Sequence, residues 1–225
     1  MIIVTGASRG IGRAICDRLV SKGFEVLGLA RTTEGLPFES MSCDVSSYHE
    51  VKTVAQELKS RGIKLAGLIN AAGIASMNLA LTTPPSVSEK VIGTNLLGTI
   101  FCCQIFAPLM LRQKQGSIIN FSTIAVALGL KGESIYAASK AGVEGFTRSF
   151  AREMSDFNIR VNCIAPGPID TSLLKGITSE QIRKIVIQQI IPRQFGTEAV
   201  ADLVEVLLDQ RSESLSGHVL HVGGV

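Results

Sequence analysis

The chain has 225 residues, 46% of them hydrophobic and 18% charged, a balance that suits one compact α/β domain with a sizeable core and argues against disorder. A formal net charge of +3, spread along the chain, is too weak a footprint for a nucleic-acid partner. Nor is there an uninterrupted apolar run of the roughly 18 residues that a membrane span needs.

Residues 1–4 form a β-branched apolar strand that breaks into Thr5-Gly6-Ala7-Ser8-Arg9-Gly10-Ile11-Gly12. A helix follows, with Ile11, Ala14, Ile15, Arg18 and Leu19 spaced three and four apart. Strand, glycine-rich turn and helix together present backbone N–H groups to an anion at a helix N-terminus. Gly6 permits the turn, Gly10 the approach of a pyrophosphate, and Gly12 close packing of helix on strand. The turn therefore predicts a dinucleotide site, its lining including Ser8, Arg9 and Ile11. Because the chain starts inside this strand, no cleaved leader is expected.

Residues 24–30 read as a second buried strand ending at Arg31, and a short third strand leads to Cys43-Asp44-Val45. Ser46 is the expected N-cap of a helix running to about residue 61, with Val51, Val54, Ala55 and Leu58 as its buried stripe. Strand four covers 65–70, and Pro84-Pro85 precedes one long helix over about 87–113. Strand five (117–121), a helix over 134–155 and strand six (159–164) follow. Beyond Pro166-Gly167-Pro168 comes a loosely patterned, partly helical stretch, then a helix near 198–208 and a last strand near 218–222. This alternation predicts one domain, 1–225, with a doubly wound, mostly parallel sheet in three layers, the Rossmann arrangement.

The residue ending the second strand meets the adenosine ribose in such units, and an acid there would repel a 2′-phosphate. Here it is Arg31, followed by Thr32 and Thr33, with Arg9 in the turn as a second guanidinium. Two cations converging on one phosphate predict NADP(H) over NAD(H). Asp44 is placed to accept from the adenine amino group, with Val45 beside it.

Tyr136 and Lys140 lie four apart on the predicted long helix and share a face. A phenol near pKa 10 is a poor acid or base at neutral pH, and an adjacent ammonium is expected to lower that value. Cys16, Cys43, Cys102, Cys103 and Cys163 are odd in number and lack C-x-x-C spacing, which predicts buried, reduced thiols and a cytoplasmic setting. His49, His218 and His221 pair with nothing at ligand spacing, so no metal is expected.

Together these segments resemble the short-chain dehydrogenase/reductase family over essentially the whole chain. The residues that carry the resemblance are the Thr5–Gly12 turn, Asn70-Ala71-Ala72-Gly73, Asn95 in Thr94-Asn95-Leu96-Leu97-Gly98, Tyr136-x-x-x-Lys140 and Asn162-x-x-x-Pro166-Gly167. The resemblance implies that Asn70, Ala71, Ala72 and Gly73 border the cofactor and that Asn95 holds a proton-relay water near the lysine. It further implies that Tyr136 and Lys140 are the catalytic pair and also touch the cofactor. Pro166 and Gly167 would then lie beside the nicotinamide, with Ile169 and Thr171 on its carboxamide. The family usually places serine thirteen residues before the tyrosine; here that position is Thr123, preceded by Ser122. Threonine keeps the hydroxyl but adds a methyl group and stiffens χ1, and strand neighbours face opposite ways, so Thr123 takes the role.

Within the family the chain is most similar to bacterial 3-oxoacyl-[acyl-carrier-protein] reductases. That likeness implies NADPH-dependent reduction of a ketone, with residues 168–194 as a substrate lid offering Leu173, Leu174, Ile177, Ile182, Ile185 and Val186. An acidic acyl carrier protein would meet Arg112, Lys114, Arg148 and Arg152. Phe157 stands where such reductases carry a second basic site, which leaves a free ketone or a coenzyme A thioester open. A homotetramer or homodimer is implied through the helices containing residues 96–111 and 138–150. The alternatives are a reductase of a small ketone, sugar or polyol, and a catalytically weak NADP(H)-binding sensor or structural subunit.

Overall fold

The computed structural model describes residues 1–171, 174 and 177–225. Seven parallel strands, β1 (Ile2–Thr5), β2 (Val26–Ala30), β3 (Ser40–Ser42), β4 (Gly67–Asn70), β5 (Gly116–Phe121), β6 (Ile159–Pro166) and β7 (Val219–Val222), form one sheet in the order β3-β2-β1-β4-β5-β6-β7. The chain leaves β1 toward β2 and β3, then returns to pair β4 on the other side of β1. That reversal opens a crevice at the carboxyl ends of the central strands.

Strand residues alternate between two apolar layers. Ile3, Leu27, Leu29, Leu68, Ile118 and Val161 face α2 (Tyr48–Ser60), α4 (Gly98–Phe106), α5 (Pro108–Leu111) and α7 (Ser134–Ser155). Ile2, Val4, Val26, Ile69, Ile119 and Ile164 face α1 (Gly10–Ser21) and α9 (Thr197–Leu208). Helices on both faces make three layers, as the alternation of elements predicts.

Local expectations need correction in several places. The N-cap of α2 is Ser47, whose hydroxyl accepts from the Glu50 N–H at 3.3 Å, because Ser46 is engaged by Asp44 instead. The single helix expected over 87–113 is α3 (Pro85–Ile92), a π-helical turn (Gly93–Leu97), α4 and α5. Pro108, which has no N–H, begins α5. Strand β2 begins at Val26 and leaves Phe24 exposed, whereas β6 runs on to Pro166. A short α6 (Ala125–Leu128) after β5, and α8 (Ser179–Val186) with a Thr178–Gln181 capping box, complete the α-helices among the described residues, beside 3-10 turns at Ala80–Thr82 and Gln210–Ser212.

The stretch Pro85–Leu111 is long and apolar enough, by length and composition, to cross a membrane. Here Val91, Asn95, Cys102, Cys103, Phe106 and Met110 bury one side of it against the fold. The five cysteines are free and buried, and desolvation pushes the Cys16, Cys43 and Cys163 thiols up to about 12, so they are not thiolates at neutral pH. The three histidines are exposed, and the described residues hold no cluster of metal-ligating type.

Candidate active site

One cavity of about 470 Å³ runs along the carboxyl ends of β1, β2, β4, β5 and β6. At one end the β1–α1 turn forms its wall. Gly6 sits at φ +70°, and a Cβ there would lie 2.8 Å from the Ala72 Cα. A Cβ on Gly12 would collide with the Gly6 carbonyl, so the first turn of α1 rests directly on the end of β1. The Ala72 N–H donates to Thr5 Oγ1 at 3.0 Å, tying the β4 loop to this turn. The first N–H groups of a helix lack intrahelical acceptors, and α1 has no acidic residue in its first turn.

Arg9 and Arg31 line the same end, as do Ser8, Gly10, Ile11, Val45, Ala71 and Gly73. Partial burial works against ionisation of Asp44, yet hydrogen bonds from the Ser46 N–H and hydroxyl, with Arg31 and Lys90 nearby, hold its carboxyl below the ordinary value. Backbone N–H donors, two guanidinium groups and no opposing acid in the turn are donor chemistry that fits a phosphate-bearing dinucleotide.

The opposite end is built by β5, α7, β6 and the lid. Thr123, Tyr136, Lys140, Pro166, Gly167 and Ile169 line it, with Lys140 reaching toward Gly73, while Thr171 stands over Gly10 of the turn. The Thr123 hydroxyl is near enough to the Tyr136 phenol to act on it, and its Oγ1 accepts from the Ala125 N–H at 3.3 Å. Ser122 turns the other way, donating to Glu144 Oε1 at 2.7 Å. The two neighbouring hydroxyls are thus separated.

The expected tuning of the phenol by Lys140 is not what the structure holds. Burial first, and then the Glu133 carboxylate, push the Tyr136 pKa well above its usual value, and only the Thr123 hydroxyl pulls it back. The Lys140 Nζ instead donates to the Phe121 carbonyl at 2.8 Å, and desolvation brings its own pKa down to about 8.

Three residues expected at the cofactor or catalytic surface lie elsewhere. Asn70 points into the core, donating to Asn120 Oδ1 at 2.8 Å and to Cys103 Sγ at 3.3 Å. Thr32 is exposed and outside the cavity wall, since Arg31 already marks its rim. Asn95 is fully buried, and its amide is committed: Oδ1 accepts from the Ile74 N–H at 2.8 Å, and Nδ2 donates to the Ile74 carbonyl at 2.9 Å and to Ser139 Oγ at 3.0 Å. Thr94 lines the cavity in its place.

Of the lid residues, Leu174, Ile177, Ile182 and Ile185 face the cavity, while Val186 packs inward. Leu173 lies outside the described residues. Sequence reasoning passed over Glu133, Leu130 and Ile124, which also form this wall. Glu133 had a cue, standing one helical turn before Tyr136.

A nucleotide crevice with a buried tyrosine, lysine and hydroxyl on its far wall is the architecture of a nicotinamide-dependent oxidoreductase. Residues 1–182 match the short chain dehydrogenase family model, and the chain belongs to that family, whose members act on CH–OH and C=O groups. It is 36% identical to the 3-oxoacyl-[acyl-carrier-protein] reductase of Homo sapiens over 98% of this chain and 95% of that one. Identity is 35% to the 3-oxoacyl-[acyl-carrier-protein] reductase FabG of Staphylococcus aureus, covering 99% and 96%. Among solved structures it is similar to ligand-free aldohexose dehydrogenase of Thermoplasma acidophilum (TM-score 0.90, 30% identity, 99% and 92% covered). It is also similar to ElxO with NADP bound (TM-score 0.89, 28% identity, 98% and 96% covered).

Proposed function

We propose that the protein is an NADP(H)-dependent reductase that converts a ketone to a secondary alcohol, with a 3-oxoacyl thioester as its substrate. The observation that carries this reading is one cavity whose wall bears Tyr136, Thr123 and Lys140 together with the glycine turn and its two arginines. The names of the curated relatives support the thioester, and the apolar lid residues Leu174, Ile177, Ile182 and Ile185 suit an acyl chain.

When bound, the nicotinamide cofactor supplies the hydride. Backbone N–H groups of the β1–α1 turn hold its pyrophosphate, Arg9 and Arg31 its 2′-phosphate, and Asp44 its adenine amino group. Tyr136, kept protonated by burial, gives its proton to the substrate oxygen, and the Thr123 hydroxyl steadies the charge that develops there. Lys140 stands against Gly73, where its ammonium would hold the nicotinamide ribose. Asn95 is a positioning residue that locks the Ile74 backbone to Ser139 on α7. A carrier protein would dock on exposed Arg112, Lys114, Arg148 and Arg152, and copies of the chain would pair through the outer sides of α4 and α7. Five unpaired thiols support a reducing, cytoplasmic setting.

A small hydroxylated ketone or sugar is the second reading, favoured by the carboxylate of Glu133 in the substrate half of the cavity. The test is loss of NADPH absorbance with 3-oxobutyryl-N-acetylcysteamine and a panel of simple and hydroxylated ketones. Turnover of the thioester supports the first reading. Tight NADPH binding with no turnover of any compound replaces both with a binding role.

A further inference from the structure

Glu133 is 6% exposed and lines the cavity, but among the described residues its carboxylate makes no hydrogen bond and no ion pair. It occupies the N-cap position of the 22-residue helix α7, where a carboxylate ordinarily accepts a backbone N–H, and it makes no such bond. A structural reason for an acid at this point is therefore missing. Asn70 Oδ1 and Gln189 Oε1 are buried acceptors sealed in protein without partners, whereas the Glu133 oxygens open on the cavity.

The surroundings make an unpartnered acid expensive. Leu130, Ile124, Ile182 and Ile185 line the same region, and burial pushes the Glu133 pKa up. The other charged residues on the described wall are Arg9, Arg31 and Asp44 at the nucleotide end, and Lys140, which donates to a backbone carbonyl. None of them neutralises Glu133.

We propose that Glu133 is a specificity-determining residue whose carboxylate accepts a hydrogen bond from an N–H or O–H group that the substrate carries at short range from its reacting carbonyl, on a neighbouring carbon or across a thioester. Glu133 and Tyr136 line the same cavity, and the Glu133 carboxylate acts electrostatically on the phenol, so this acceptor faces the space where Tyr136 meets the carbonyl oxygen. Two substrates present such a donor. One is an acyl thioester, through the first amide N–H of its pantetheine arm; the other is a small ketone with a hydroxyl on a neighbouring carbon. The inference rests on the reductase reading above.

Two matched pairs separate the sources: 3-oxobutyryl-N-acetylcysteamine against S-ethyl 3-oxobutanethioate, and 3-hydroxy-2-butanone against 2-butanone. For each pair, kcat/KM is measured with NADPH for wild type, Glu133→Gln and Glu133→Leu, and binding is ranked by quenching of bound NADPH fluorescence. The expected result is a preference of about tenfold for the donor-bearing member of one pair in wild type, consistent with a buried hydrogen bond to a charged group. Glu133→Leu brings that ratio to near one, and Glu133→Gln, which keeps an acceptor, retains part of it. The pair that shows the effect identifies the source. Equal handling of both members of both pairs by wild type, or a preference unchanged in Glu133→Leu, overturns the proposal. A donor preference in binding without turnover of any ketone removes the reductase reading and leaves the Glu133 contact standing.

Discussion

The two ends of the cavity are built by different means. The glycine-turn end is shaped chiefly by backbone, with Arg9, Arg31 and Asp44 at its rim: a turn at φ +70° and +58°, a helix N-terminus, and glycines packed so closely that a Cβ has no room at Gly6 or Gly12. At the substrate end the work falls to side chains taken out of water, Tyr136, Lys140 and Glu133, each with its proton affinity moved by desolvation. Backbone recognition tolerates little variation because its geometry is covalent and steric. Side-chain recognition is set by burial and neighbours, so one substitution resets it.

If this division is right, the largest effect belongs to the substrate end. Tyr136→Phe removes the acid while keeping the ring, and ketone-dependent NADPH oxidation is expected to fall by about 10³-fold in kcat. A change of less than tenfold would move proton donation to another group. Thr123→Ala comes next, with a loss of about 10²-fold, against a few-fold for Ser122→Ala. Ser122 turns its hydroxyl to Glu144, so its loss should register in urea unfolding, at about 1 kcal/mol. Reversed effects on kcat would give the role at the substrate oxygen to Ser122.

Lys140 sharpens the comparison through pH. Its folded pKa of about 8 lies below the unfolded value of 10.5, so the unfolded chain binds the extra proton between these limits. Below pH 8 both states are protonated and the whole burial cost is present; the cost fades as pH rises to 10.5. Wild type is therefore expected to gain on Lys140→Met across that window by roughly 3 kcal/mol, read from denaturant unfolding at several pH values. A flat difference would show that Lys140 keeps its proton inside the fold.

At the nucleotide end a charge change has a smaller, selective effect. Arg31→Asp should weaken NADPH binding by about 10–100-fold and NADH binding far less, in fluorescence titrations. Equal weakening of both would take the 2′-phosphate away from Arg31. Gly6→Ala, strained by its positive φ and by the Ala72 backbone, should cost about 1–3 kcal/mol of stability.

The amino-acid sequence by itself determined the order of strands and helices, the parallel sheet, the glycine turn and the pairing of Tyr136 with Lys140 on one helix. These follow from periodicities of two and 3.6 and from the spacing of glycines in a strand–turn–helix, all of which are local. Ser122 and Thr123 lie just past the end of β5, where the Ser122 hydroxyl turns to Glu144 and Thr123 lines the cavity.

What the tertiary structure alone decided concerns long-range partners. Asn70 and Asn95 have unremarkable local surroundings; Asn120, Cys103, Ile74 and Ser139, which occupy their amides, come from other elements. The break of the Pro85–Leu111 helix into a π turn at Asn95 belongs to the same packing. The Tyr136 pKa was read from its helix neighbour Lys140, but burial and Glu133 dominate it. Desolvation depends on what the whole fold lays over a group, and no spacing along the chain contains that quantity.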